Sequence, residues 1–192
     1  MKTLRPLTMM SLLLVAACST TQVTNAWKDP TFDGPAPKKV LVVGQLPDET
    51  SRRILEQELT SRIVEEGGSA VPSSEFFAEQ SEIDSEALRE VAEREDFDAV
   101  LVSRYLGEET TTQFVPDSAY GGGSMYGDPW YAPGHVYQER QAKMETGLFD
   151  IEDDGTPIWS VTTETLNPND SEKQTRQLAS KIVRQMEKDA LL

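Results

Sequence analysis

Cys18, Ser124, His135 and the acidic run from Asp150 to Asp154 are the residues whose type and spacing could support chemistry. Ser124 lies in "GGSMYG", but a nucleophile elbow needs glycine where Tyr126 stands. His135, the single histidine, follows in the same stretch, and nothing in the pattern fixes triad partners for it. One histidine and one cysteine leave no nitrogen and sulfur ligand set for zinc. In "DIEDDG", Asp150, Glu152 and Asp154 alternate ahead of Gly155, as in a calcium loop. The bidentate acid such a loop requires at its last position falls on Val161, and the flanks read as strands, so a hairpin turn is the better reading. "YGGGSMYGD" lacks both the dinucleotide-binding glycine spacing and a phosphate-loop lysine. The expectation is a chain that is not an enzyme, with no catalytic residue, no metal and no cofactor.

Cys18 is the exception, because its position carries meaning. Lys2 and Arg5 precede an apolar run from Leu7 to Ala17 broken only by Thr8 and Ser11. A helix of that length rises about 17 Å, against about 30 Å of bilayer hydrocarbon. A positive start, a short apolar stretch and small residues at its end predict a signal peptide over residues 1–17. Val15-Ala16-Ala17-Cys18 resembles the lipobox of bacterial lipoproteins. That resemblance implies that the Cys18 thiol takes a diacylglycerol, that cleavage makes Cys18 the first mature residue, and that two or three acyl chains hold it on a membrane. A lone cysteine cannot close an internal disulfide in any case. Ser19, rather than aspartate, follows it, which by the same resemblance favours the periplasmic face of the outer membrane of a Gram-negative cell.

Loss of Lys2 and Arg5 with the leader takes the net charge from −15 to −17. A chain this acidic repels nucleic acid, so no nucleic-acid partner is expected. Residues 18–37 are polar and rich in turn formers, and read as a lipidated tether. Trp27, large and aromatic, is expected to dock back onto the domain. The domain itself spans residues 38–192. Val40–Val43 suits a buried strand. Leu55, Leu59 and Ile63, with Ile54 and Val64, recur at helical spacing, capped by Asp48 or Thr50 and ended by Gly67 or Gly68. "SAVPS" reads as a short strand, and Asp84 caps a helix with Ile83 and Leu88 as a staple. "FDAVLVSRYL" returns to strand. Two antiparallel strands follow, one presenting Ala142, Met144, Thr146 and Leu148 on a single face, with Asp154-Gly155 as the turn between them. A last helix, capped by Ser171 and Gln174, buries Leu178, Ile182, Val183 and Met186. The predicted object is a single-domain α/β sandwich with a mixed sheet, in the order β-α-β-α-β-β-β-α.

The stretch 116–134, "PDSAYGGGSMYGDPWYAPG", is long for a connection and sets Tyr120, Tyr126, Trp130 and Tyr131 among glycine and proline. With Trp27 these are the candidate partner-binding residues. Trp27-Lys28-Asp29-Pro30, the hairpin "LFDIEDDGTPIWS" and the closing helix resemble a family of uncharacterised proteobacterial lipoproteins. The element order is similar to that of penicillin-binding-protein activator lipoproteins, the curli secretion lipoprotein and the TolB amino-terminal domain. The resemblance implies a membrane-anchored module that binds an envelope protein or peptidoglycan. The alternative is a small-ligand-binding protein or hydrolase with a pocket under the 116–134 stretch.

Overall fold

The structure, a computed structural model, describes residues 21–116, 134–151, 155–168 and 172–192. The chain is a single α/β domain built on a mixed sheet of six strands with three helices. The strands are β1 (Thr21–Lys28), β2 (Lys39–Gln45), β3 (Ser69–Pro72), β4 (Ala99–Pro116), β5 (Gly134–Asp150) and β6 (Thr156–Leu166). The helices are α1 (Glu49–Glu65), α2 (Ser85–Arg94) and α3 (Glu172–Lys188). The sheet order is β1-β6-β5-β4-β2-β3, with β2 parallel to β3 and β4 and the remaining pairs antiparallel.

The sequence pattern accounts for most of this. Val40 to Val43 are buried on both faces, as a continuous β-branched run requires. The Asp48 carboxylate accepts the Ser51 N–H at 2.8 Å and starts α1, and Gly67, at φ +92°, ends it. The Asp84 carboxylate accepts the Ala87 N–H at 2.8 Å and starts α2. Leu178, Ile182, Val183 and Met186 of α3 pack with Leu55, Leu59 and Ile63 of α1 on one face of the sheet, against Met144, Leu148 and Val161. Helix α2 covers only the β2 and β4 end of the other face, through Val91, Ala92, Phe97, Leu41, Val43 and Val100.

Three expectations change. The tether of residues 18–37 contains the sheet's edge strand: Thr21–Lys28 pairs with β6, so five strands become six. The polar, threonine-rich composition that reads as linker is what an edge strand with one solvated face looks like. Residues beyond it form a strap across the sheet end, where the Asp98 carboxylate accepts the N–H groups of Lys38 and Lys39 at 2.7 and 2.9 Å. Ile54 and Val64, grouped with the apolar stripe of α1, are exposed, whereas Arg52 and Glu56 of that helix are buried. The strand predicted to stop near Leu106 runs to Pro116, so β4 and β5 extend past the sheet as a two-stranded ribbon.

Helix α3 ends with Ala190 at φ +53°, the Leu191 N–H donating to the Met186 carbonyl at 3.0 Å. An L-residue is strained there, so Ala190→Gly is expected to stabilise the fold by about 0.5–1 kcal/mol, the αL relief outweighing the added freedom of the unfolded chain. Urea unfolding checks this; an unchanged or lower midpoint contradicts it.

Candidate functional site

The face of the sheet left open by α2 carries Trp27. In register, Trp27 of β1 lies opposite Ser160 of β6, which lies opposite Gly147 of β5, which lies opposite Val102 of β4. A large aromatic is therefore followed across the sheet by two small residues, and the result is a trough floored by Ser160 and Gly147. Its wall includes Phe149, and its volume is about 290 Å³. A Cβ on Gly147 would stand 3.0 Å from Phe149 Cε2, so the glycine is what lets that ring lie flat along the strand. Trp27 is 43% exposed. Arg104 and Glu145, both exposed, form a polar rim, and Arg104 Nε donates to Gln45 Oε1 at 2.9 Å. A second hollow of about 270 Å³ continues toward α2, lined by Leu88, Val100, Val102, Phe149 and Ile151. An apolar, aromatic-walled trough with one guanidinium and one carboxylate at its rim suits a flat ring or an extended chain with polar substituents.

A different hollow lies at the carboxyl end of β2 and midway along β4, where the ribbon leaves the sheet and α1 begins. It measures about 480 Å³ and is lined by Pro47, Asp48, Ser51, Tyr105, Glu108 and Arg140 among others. Arg140 is committed there: Nη1 lies 3.3 Å from Glu108 Oε1, and Nη2 donates to the Pro168 carbonyl at 3.0 Å. The Asp48 carboxyl is held below its usual range, chiefly by the backbone N–H of Ser51. Glu49 is also held low, first by the Gln80 N–H and then by Arg52. These groups are occupied in starting α1 and in pinning the 73–82 segment to it.

Beneath that helix start is the most buried charge of the described residues. Arg52 and Glu56 are both fully buried, with Arg52 Nη1 3.2 Å from Glu56 Oε1. Glu56 Oε1 also accepts Ser73 Oγ–H at 2.7 Å and the Gly44 N–H at 3.0 Å, and its Oε2 accepts the Ser74 N–H at 2.9 Å. Arg52 donates further to Glu49 Oε2 and to the carbonyls of Phe77 and Ala78. Arg52 and Glu56 direct their donors and acceptors inward at protein, so this pair holds structure.

Of the sequence-predicted site residues, the structure places Trp27, on β1 against the trough. Cys18, Tyr120, Tyr126, Trp130 and Tyr131 lie outside the described residues, as do Ser124, Asp154 and Ser171. His135 is on β5 opposite Val115 of β4. Gly147, Phe149 and Ser160 were not anticipated. An isolated glycine within a strand pattern is the signal that could have found the first of them. Among the described residues no group of three His, Cys, Asp or Glu side chains could hold a metal ion. Among them, too, no helix is long and apolar enough to cross a membrane.

No family model matches the chain, and no match is found among curated proteins. Solved structures are similar to it at low identity. The PelC dodecamer from Paraburkholderia phytofirmans is 14% identical, with 84% of this chain and 94% of that one covered, at a TM-score of 0.48. Lipoprotein GNA1162 from Neisseria meningitidis is 16% identical, with 79% and 99% covered, at a TM-score of 0.45. A minor lipoprotein from Acinetobacter baumannii is 14% identical, with 79% and 94% covered, at a TM-score of 0.33.

Proposed function

We propose that this chain is a non-enzymatic lipoprotein of the cell envelope, held at the periplasmic face of the outer membrane by acylated Cys18, and that it binds an envelope protein or peptidoglycan through its open sheet face. The observation that carries the binding surface is the trough of Trp27, Ser160, Gly147 and Phe149 on a sheet face that α2 leaves half uncovered. A large aromatic on a rigid strand, beside small residues and an apolar floor, is the arrangement in which one side chain dominates binding.

The test is co-sedimentation with purified peptidoglycan sacculi, together with crosslinking in cells from a photoreactive residue at position 27. Trp27→Ala is expected to lower the affinity for the partner so captured by about 30-fold, as for a central aromatic anchor. Val64→Ala, on the far side of the molecule, is expected to leave it unchanged. Equal binding by Trp27→Ala and the parent chain rules the surface out. The hollow of about 480 Å³ at the ribbon base is the place for the second reading, a small-ligand or hydrolase pocket, although it lies eight strand residues short of Pro116 and not beneath the 116–134 stretch. That reading leaves Trp27→Ala without effect.

A further inference from the structure

The position of the first sheet strand relative to the ribbon has a consequence for how the domain meets its membrane. In register, Thr21 lies opposite Thr165, Thr165 opposite Ala142, and Ala142 opposite Glu108. The amino-terminal end of β1 and the root of the ribbon are thus on one row, at one end of the sheet. Cys18 stands three residues before Thr21. That stretch can reach about 11 Å at most. From Glu108 to Pro116 the ribbon advances eight residues, about 26 Å, in the direction from which the chain enters. If Cys18 is acylated, the leash is less than half the length of the arm.

We infer that the β4–β5 ribbon is a membrane-contacting arm, its outer part resting in the headgroup zone of the same leaflet that holds the Cys18 acyl chains. The inference rests on the anchor reading above. Three observations support it. Val136 and Tyr137, on the outer part of β5, are 61% and 47% exposed, an aliphatic and an amphipathic aromatic side chain of the sort that settles at a lipid–water boundary. The chain as a whole is acidic, with a net charge of −15, while the charges at the ribbon root are paired, Glu108 with Arg140 and Glu109 with Lys143. This net charge repels anionic headgroups over about 8 Å, so the globule stands off and the arm fills the gap. The arm also has a place to bend. The ladder shifts register between Tyr105 and Gly107, and Gly107 is at φ +117°.

The depth of contact has a physical limit. Beyond Arg104 the outer edge of β4 has no strand neighbour among the described residues, and beyond Gln141 neither has β5. Open ladder edges are not tolerated in hydrocarbon. The arm therefore lies in the hydrated interface, tilted at the Gly107 bulge, and does not cross.

The experiment uses the full lipidated chain purified from membranes and reconstituted into phosphatidylethanolamine–phosphatidylglycerol vesicles containing a headgroup-nitroxide lipid. Val136→Cys carries a thiol-linked fluorophore. Val64→Cys, near the far end of α1 and 52% exposed, is the control. Acylated Cys18 has no free thiol, so the parent chain takes up no label. The expected result is flotation of both variants with the vesicles and at least about twofold stronger quenching at 136 than at 64. Flotation with equal quenching at the two positions overturns the arm and leaves the anchor standing. Labelling of the parent chain together with loss of flotation removes the anchor, and the arm with it.

Discussion

Arg52→Met is expected to remove about 3–5 kcal/mol of folding stability, because it leaves the Glu56 carboxylate buried without its counter-ion. Both side chains are fully buried. With Arg52 gone, Glu56 keeps the N–H groups of Gly44 and Ser74 and the Ser73 hydroxyl, but no positive charge. The Phe77 carbonyl also loses the Arg52 donor, while the Ala78 carbonyl keeps Arg53 Nη2 at 2.8 Å. Urea unfolding of parent, Arg52→Met, Glu56→Leu and the double variant measures the coupling. The double variant is expected to recover much of the loss, since an apolar pair needs no desolvation of charge. A double variant whose loss equals the sum of the two single losses would show that the network is not coupled. Local hydrogen exchange supplies a second readout. Loss of protection is expected first in residues 73–82, which Arg52 and Glu49 hold against α1.

That network marks the boundary of what sequence could reveal. Leu55, Leu59 and Ile63 are legible as a buried stripe because apolar residues recur at helical spacing, and the structure buries all three. Arg52 and Glu56 share that helix, one turn apart, and read as an ordinary solvated pair. Only the tertiary placement of Ser73, Phe77 and Ala78 over them turns the pair inward, and no local pattern encodes that placement. The hairpin of β5 and β6 is legible for the opposite reason. Gly155, at φ +76°, is demanded by local turn geometry, so a short motif carries the signal. Strand β1 falls between the two. Its register with β6 is set across the whole chain, and its exposed threonine and asparagine side chains resemble linker residues. Trp27 is the one residue in it that does not read as linker. The trough around it was only half legible, because Ser160 and Gly147 matter through their smallness and their row across three strands.

The β1 assignment also changes the energetics of the proposed anchor. A flexible tether would let the globule sample tens of ångströms above a bilayer. Under the proposed acylation of Cys18, a strand that begins three residues later couples the anchor to the sheet edge, and force on the lipid would be borne by the β1–β6 ladder. Under that proposal the stability of the β1 edge matters to the anchor, and Trp159 is the residue that secures it.

Trp159→Ala is expected to cost about 3–5 kcal/mol and to loosen β1 before the rest of the sheet. Trp159 is fully buried on β6, opposite Lys28 of β1. Its indole N–H donates to Asp189 Oδ2 at 2.8 Å, an oxygen that Gln185 Nε2 also reaches at 2.9 Å. Lys28 Nζ in turn donates to the Asp189 carbonyl at 2.6 Å. One tryptophan thus ties β6 to the end of α3, and the end of α3 holds the last residue of β1. Truncation to alanine opens a cavity between sheet and helix and removes one of the two donors to the Asp189 carboxylate. Trp159→Phe keeps much of the ring volume and loses only the N–H, so it is expected to cost about 1–3 kcal/mol, the penalty of an unmade buried hydrogen bond. The check is urea unfolding of both variants with residue-resolved hydrogen exchange. Amides of β1 and of the last turn of α3 should lose protection in Trp159→Phe while those of β2 and α1 keep it. Uniform loss across the sheet would mean that Trp159 contributes only volume to the core and that β1 is held by its ladder alone.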